Sequence, residues 1–96
     1  MGAGARLAQS LHQRYDSPLL FYSASWCGVC DRTRSHLKSN GIPFVELDIE
    51  KDGAAAQQFA QFGGHGVPLL LVEGQVLRGF DPAWIARSLA EGESED

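Results

Sequence analysis

Residues 18–40 read PLLFYSASWCGVCDRTRSHLKSN. The compact apolar run from Leu19 to Tyr22, closing on Ser23, is the pattern of a fully buried strand in a parallel sheet. From Gly28 the pattern turns helical, with Val29, Thr33 and Leu37 along one side and Asn40-Gly41 as the stop signal. The only two cysteines of the 96-residue chain, Cys27 and Cys30, therefore fall where strand gives way to helix. A further strand after this helix makes a βαβ unit, which predicts parallel strands joined by a right-handed crossover.

Working outward, PFVELDI at 43–49 supplies that strand. It alternates Phe44, Glu46 and Asp48 against Val45, Leu47 and Ile49, with the acidic positions expected to face outward or a rim. Residues 52–62, DGAAAQQFAQF, are rich in helix formers and set Ala55, Phe59 and Phe62 on one face before Gly63-Gly64 ends the helix. VPLLLVEGQVLRGF then gives two short apolar runs around Glu73-Gly74-Gln75, which is hairpin chemistry. Asp81 as N-cap and Pro82 in the first turn open a last helix whose inner face is Trp84, Ile85 and Leu89. Upstream, Leu7, Leu11 and Tyr15 recur every fourth residue on a helix that Asp16-Ser17-Pro18 terminates. The expected architecture is α/β: a central mixed sheet of about four strands flanked by helices. One domain spans 1–96, with an extra N-terminal helix over 1–17, a core over 18–90 and a solvated acidic tail, EGESED, over 91–96.

Ninety-six residues bury one core, and 44% apolar with 21% charged residues is ordinary for a globular chain. A net charge of -4 argues against nucleic acid as a partner, because no cluster of Lys or Arg offers counterion release. Arg32, Arg34 and Lys38 form only a local patch. The longest apolar runs are about a third of a membrane span, so no membrane partner is expected. The N-terminal MGAGARLAQS lacks the apolar centre of a secretory signal, which together with a CxxC pair points to the cytoplasm.

The reactive form of cysteine is the thiolate, and a free thiol with a pKa of about 8.5 is mostly protonated at neutral pH. With Cys27 capping the helix, its sulfur meets unpaired N–H groups and the positive end of the helix dipole, which favour the anion. Arg32 and Arg34 are candidates for further positive potential. Two intervening residues inside the first turn bring Cys30 beneath Cys27, close enough for a disulfide and less exposed, while Gly28 and Val29 leave Cys27 accessible. The chemistry this fits is attack by Cys27 on a disulfide and resolution by Cys30. Two other readings stand beside it: buried structural cysteines, and half of a zinc site. Zinc wants four ligands, and His36, six residues beyond Cys30, is on no matching position, so no metal is expected. His12 and His36 are expected to face solvent, while His65, three residues before Pro68, borders the proposed site.

These residues resemble the glutaredoxins of the thioredoxin superfamily. The resemblance covers about residues 18–90 and rests on FYSASWCGVC, NGIPFVELDIEKD, HGVPLLLVEGQ and RGFDPAWI in this order. It implies a thioredoxin-like fold and a monomeric thiol-disulfide oxidoreductase acting on protein disulfides or glutathione mixed disulfides, with glutathione as co-substrate. It implies a cis Pro68 facing Cys27, with the Val67 backbone pairing to the bound peptide, and substrate or glutathione contacts from Trp26, Gly79, Phe80 and Asp81. The chain departs from the family pattern in four places: Ala24 replaces a common lysine, Arg78 replaces a glycine, Pro82 removes an N–H donor, and Trp26-Cys27-Gly28 looks like thioredoxin. The GFDP turn is similar to redoxins reduced by thioredoxin reductase, which makes that donor an alternative. A glutathione-ligated [2Fe-2S] carrier is the other, since Gly28 stands where the motif proline would be.

Overall fold

The computed structural model describes residues 3–93, with side chains described over residues 5–91. Among these, helices α1 (Ala3–Tyr15), α2 (Gly28–Ser39), α3 (Gly53–Gln61) and α4 (Pro82–Glu93) alternate with strands β1 (Leu19–Ser23), β2 (Val45–Asp48), β3 (Leu69–Val72) and β4 (Gln75–Arg78). The sheet order is β2-β1-β3-β4. β1 runs parallel to β2, with Phe21 opposite Glu46, and antiparallel to β3, with Phe21 opposite Leu70. β3 and β4 form the expected hairpin, whose two-residue turn Glu73-Gly74 has both φ angles positive, at 50° and 83°. That mirror-image turn matches strand twist, and glycine adopts its second position without strain.

Alternation along β1 builds a core on each face of the sheet. Leu20, Tyr22, Leu69 and Leu71 pack with Leu47, Ala55 and Phe62 under α1 and α3, where Ala8 and Leu11 are the buried residues of α1. On the other face Leu19, Phe21, Leu70 and Val72 pack with Cys27, Cys30, Leu37 and Ile85 under α2 and α4. All five residues of β1 are buried, as expected of a central strand covered on both sides.

Three expectations are corrected. α4 runs to Glu93, so Glu91 to Glu93 belong to a helix and not to a tail; residues 94–96 lie outside the described residues. His12 does not face solvent: Nδ1 binds the Ser17 carbonyl oxygen at 2.8 Å and Nε2 accepts the Gly74 N–H at 3.0 Å, joining the end of α1 to the hairpin turn. Glu46 does not face outward, because α2 covers that face of β2; its carboxylate accepts from Ser23 Oγ and Arg34 Nε, each at 2.7 Å. Asp48, the other acidic position, does reach the rim, where Oδ1 accepts the Glu50 and Lys51 N–H groups. Beyond these, α3 buries Gln58 as well as Ala55. Gln58 Oε1 accepts from Tyr22 Oη at 2.7 Å, and Nε2 donates to Tyr15 Oη at 3.1 Å. Burial pushes the Tyr22 phenol above its ordinary pKa.

Candidate active site

β1 ends at Ser23, and the chain turns through Ala24 to Trp26, with the Cys27 N–H donating to the Ala24 carbonyl at 3.2 Å. Cys27 then caps α2 in extended conformation (φ −91°, ψ 109°), and its Sγ accepts the Cys30 N–H at 3.1 Å. The Cys27 carbonyl opens the helix by accepting from Asp31 N at 3.2 Å. A sulfur in the N-cap position satisfies a donor that otherwise has no partner in the helix, and it sits at the positive end of the helix dipole. The opposite side of Cys27 meets the loop before β3: its thiol donates to the Val67 carbonyl at 3.6 Å, and the Val67–Pro68 peptide is cis.

Cys30 lies beneath, fully buried, while Cys27 keeps 5% of its surface. The order is the expected one, but Cys27 is more enclosed than an unshielded turn predicted. The Val67 side of the junction closes over it, and Val67, Phe80 and Trp84 pack against its cluster. Both sulfurs are unbridged. Burial, then the hydrogen bond with Cys27, pushes the Cys30 thiol up to about 12. Trp26, by contrast, is 69% exposed, and its Nε1 donates to Glu50 Oε2 at 2.7 Å. The arrangement is one buried thiol poised behind another at a helix mouth, beside an exposed indole.

Residues 19–77, which span this junction and the Val67–Pro68 loop, match the sequence profile of the glutaredoxin family. The chain belongs to that family. It is 31% identical over 65 residues to a glutaredoxin-like 8.6 kDa protein of the rubredoxin operon of Clostridium pasteurianum, covering 67% of this chain and 87% of that one. A buckwheat glutaredoxin in complex with glutathione shares the fold at TM-score 0.67 and 17% identity, covering 97% of this chain and 96% of that one. The glutaredoxin-like NrdH-redoxin of Escherichia coli, described as having a thioredoxin-like activity profile, gives 0.65 and 22% over 72% and 91%. At such identities the two structures establish a thioredoxin-like fold alone.

In this glutaredoxin-family chain the remaining candidate residues have visible occupations. The Gly79 N–H (φ 106°) donates to the Pro68 carbonyl at 3.0 Å, which ties the β4–α4 turn to the Val67–Pro68 loop. Phe80 packs against the cluster that holds Cys27 and meets the His36 ring edge-on, with centroids 5.4 Å apart. His36, expected from the sequence to face solvent, is half-buried, with one edge against Phe80. Asp81 caps α4, its Oδ1 accepting the Trp84 N–H at 3.2 Å. Arg78 donates from Nη2 to the Phe62 carbonyl at the end of α3. His65 is exposed on the loop before Val67.

Sequence reading missed Glu50 as the partner of Trp26 and Glu46 as the partner of Arg34. The guanidinium grips Glu46 through Nε and Nη2 and reaches Asp31 through Nη1 at 2.8 Å. The Arg34 hydrogen bonds hold the Glu46 carboxyl below its ordinary pKa. Arg34, a candidate from the sequence for positive potential near Cys27, is paired with two carboxylates. The signal for this pair was the register of β2 on β1, which no local pattern carries. Among the described residues no cluster of His, Cys, Asp or Glu could hold a metal ion, and no helix is long and apolar enough to cross a membrane.

Proposed function

We propose that the protein is a thiol-disulfide oxidoreductase that reduces protein disulfides or glutathione mixed disulfides through Cys27 and Cys30. The observation that carries this reading is the Cys27 sulfur at the N-cap of α2, accepting the Cys30 N–H with Cys30 directly behind it. Cys27 as thiolate attacks a substrate disulfide, forming a mixed disulfide and releasing one substrate thiol. Cys30 then loses its proton to solvent and attacks Cys27, the bond from Cys27 to substrate breaks, and the second thiol leaves. Two electrons pass to the substrate, and the protein ends as a Cys27–Cys30 disulfide. Trp26, exposed beside Cys27, and the backbone at Val67 are the surfaces against which an extended substrate packs. We place this chemistry in the cytoplasm, where a dithiol stays reduced.

Glutathione is the proposed reductant, with Gly79, Phe80 and Asp81 near its binding place. The second reading, reduction by thioredoxin reductase, is favoured by specific contacts. Arg78 is tied to α3, the Gly79 N–H is taken by Pro68, and Pro82 offers no N–H, so few donors remain for the carboxylates of glutathione. The deciding experiment reduces the oxidised protein with glutathione plus its reductase, and separately with thioredoxin reductase, using NADPH consumption as readout. Cys27→Ser abolishes reduction of every disulfide substrate, and Cys30→Ser spares only reactions that external glutathione completes. A Cys27→Ser protein that still reduces disulfides overturns the assignment.

A further inference from the structure

The second step demands that a fully buried thiol ionise, and the cysteines alone offer no reason for it to do so. Arg34 follows Cys30 by four residues on α2, which puts the two side chains on one helix face, a turn apart. Glu46 stands opposite Phe21 in the β1–β2 register, and so on the face where Phe21 and Cys30 share a core. The buried Ser23 hydroxyl donates to Glu46, and Glu46 takes the Arg34 guanidinium in a two-pronged grip. Arg34 is thereby fixed against the sheet, unlike the exposed Arg32 and Lys38. A partly exposed ion pair stabilises a fold little, so stability is a weak reason for this placement.

We propose that Arg34, anchored by Glu46, is a positioning residue for resolution: its charge stabilises the Cys30 thiolate as that anion forms. This rests on the dithiol reading above. The Arg34 charge works against the burial that raises the Cys30 thiol. The titratable and charged groups around this corner are Cys27, Asp31, Arg34 and Lys38 from the junction and α2, and Glu46 from β2. Proton and electron accounting is unchanged. The Cys30 proton goes to solvent, the Cys30–Cys27 bond forms, and the substrate sulfur leaves with the electron pair.

The test uses an aromatic disulfide whose released thiol is coloured, mixed with an equimolar amount of the reduced protein in a stopped-flow instrument. Cys27 attack gives the first release and Cys30 resolution the second, and the pH dependence of each is recorded. Arg34→Gln moves the second-phase profile to higher pH and slows that phase about tenfold on its acid side. Arg34→Lys, which keeps the charge without the fork, restores part of the rate. Glu46→Gln keeps a carbonyl oxygen to hold Arg34 while removing the opposing charge, and so moves the profile to lower pH, whereas a merely structural role moves both variants the same way. Second-phase profiles that superimpose, or that shift together, overturn the proposal while leaving the dithiol mechanism intact. A parent protein that shows no second release overturns both.

Discussion

Alkylation of Cys30 in a Cys27→Ser protein measures how deeply the second sulfur is set. Cys30 has no exposed surface, and its thiol is pushed up to about 12, first by burial and second by Cys27. The substitution weakens the second cause and leaves the larger one, so about 12 is the upper end for the variant. At pH 7 a thiol at about 12 is ionised to about one part in 10⁵, against roughly 3% for an ordinary thiol near 8.5, a factor of about 3,000. The more basic thiolate is intrinsically more nucleophilic, which with a Brønsted coefficient of about 0.45 returns roughly 40-fold. The expected rate with iodoacetamide is therefore about a hundred times below that of the same variant unfolded in urea, with mass spectrometry as readout. The native rate climbs about tenfold per pH unit through about pH 10 with no plateau, because the group stays far below half-ionised. A native rate within about threefold of the unfolded one, or a plateau below about pH 9, refutes the reasoning.

The same shift links stability to pH. The unfolded chain ionises Cys30 near 8.5 and the native chain only near 12, so stability is complete below about pH 8.5 and falls by about 1.4 kcal/mol per unit above it. Urea titrations of the reduced protein at pH 8 and pH 10 show this slope, and Cys30→Ser removes it. Gln58→Ala deletes one methylene and the carboxamide from a buried site and orphans the Tyr22 hydroxyl, at a cost of about 3 kcal/mol, or roughly 10–20 °C in Tm. Adding Tyr22→Phe removes the orphaned hydroxyl, so the double variant is no less stable than Gln58→Ala alone by thermal unfolding. Strict additivity of the two losses counts against the network.

Much of this fold is written in local signals. Pro18, Gly41, Gly63, the Glu73-Gly74 turn and the Asp81-Pro82 pair mark element ends within a residue or so, and each acts through backbone preferences that neighbours scarcely alter. The cysteine pair was legible for the same reason, since helix capping is decided within four residues. What escaped was set at a distance. His12 meets Gly74, Gln58 meets Tyr22 and Trp26 meets Glu50 across 62, 36 and 24 positions. Neither the buried Gln58 nor the half-buried His12 nor the exposed Trp26 gave a periodic sign of these contacts. The enclosure of Cys27 belongs to the same class, because Val67 closes over it from 40 residues away.

The bridge from His12 to the hairpin changes how the first helix counts. Nε2 accepts from Gly74, which leaves the ring's proton to Nδ1 and fixes a single tautomer across the gap between α1 and the β3–β4 turn. Together with Ala8 and Leu11, this makes the leading helix a clasp over the sheet and not an appendage. Proteolytic trimming at Asp16 would take Ala8 and Leu11 away from the cluster that holds Leu20, Tyr22 and Leu71, and release the hairpin turn from His12. Affinity tags and fusion partners are therefore better carried beyond α4, and shortened versions cut to the family core should be sticky rather than merely smaller.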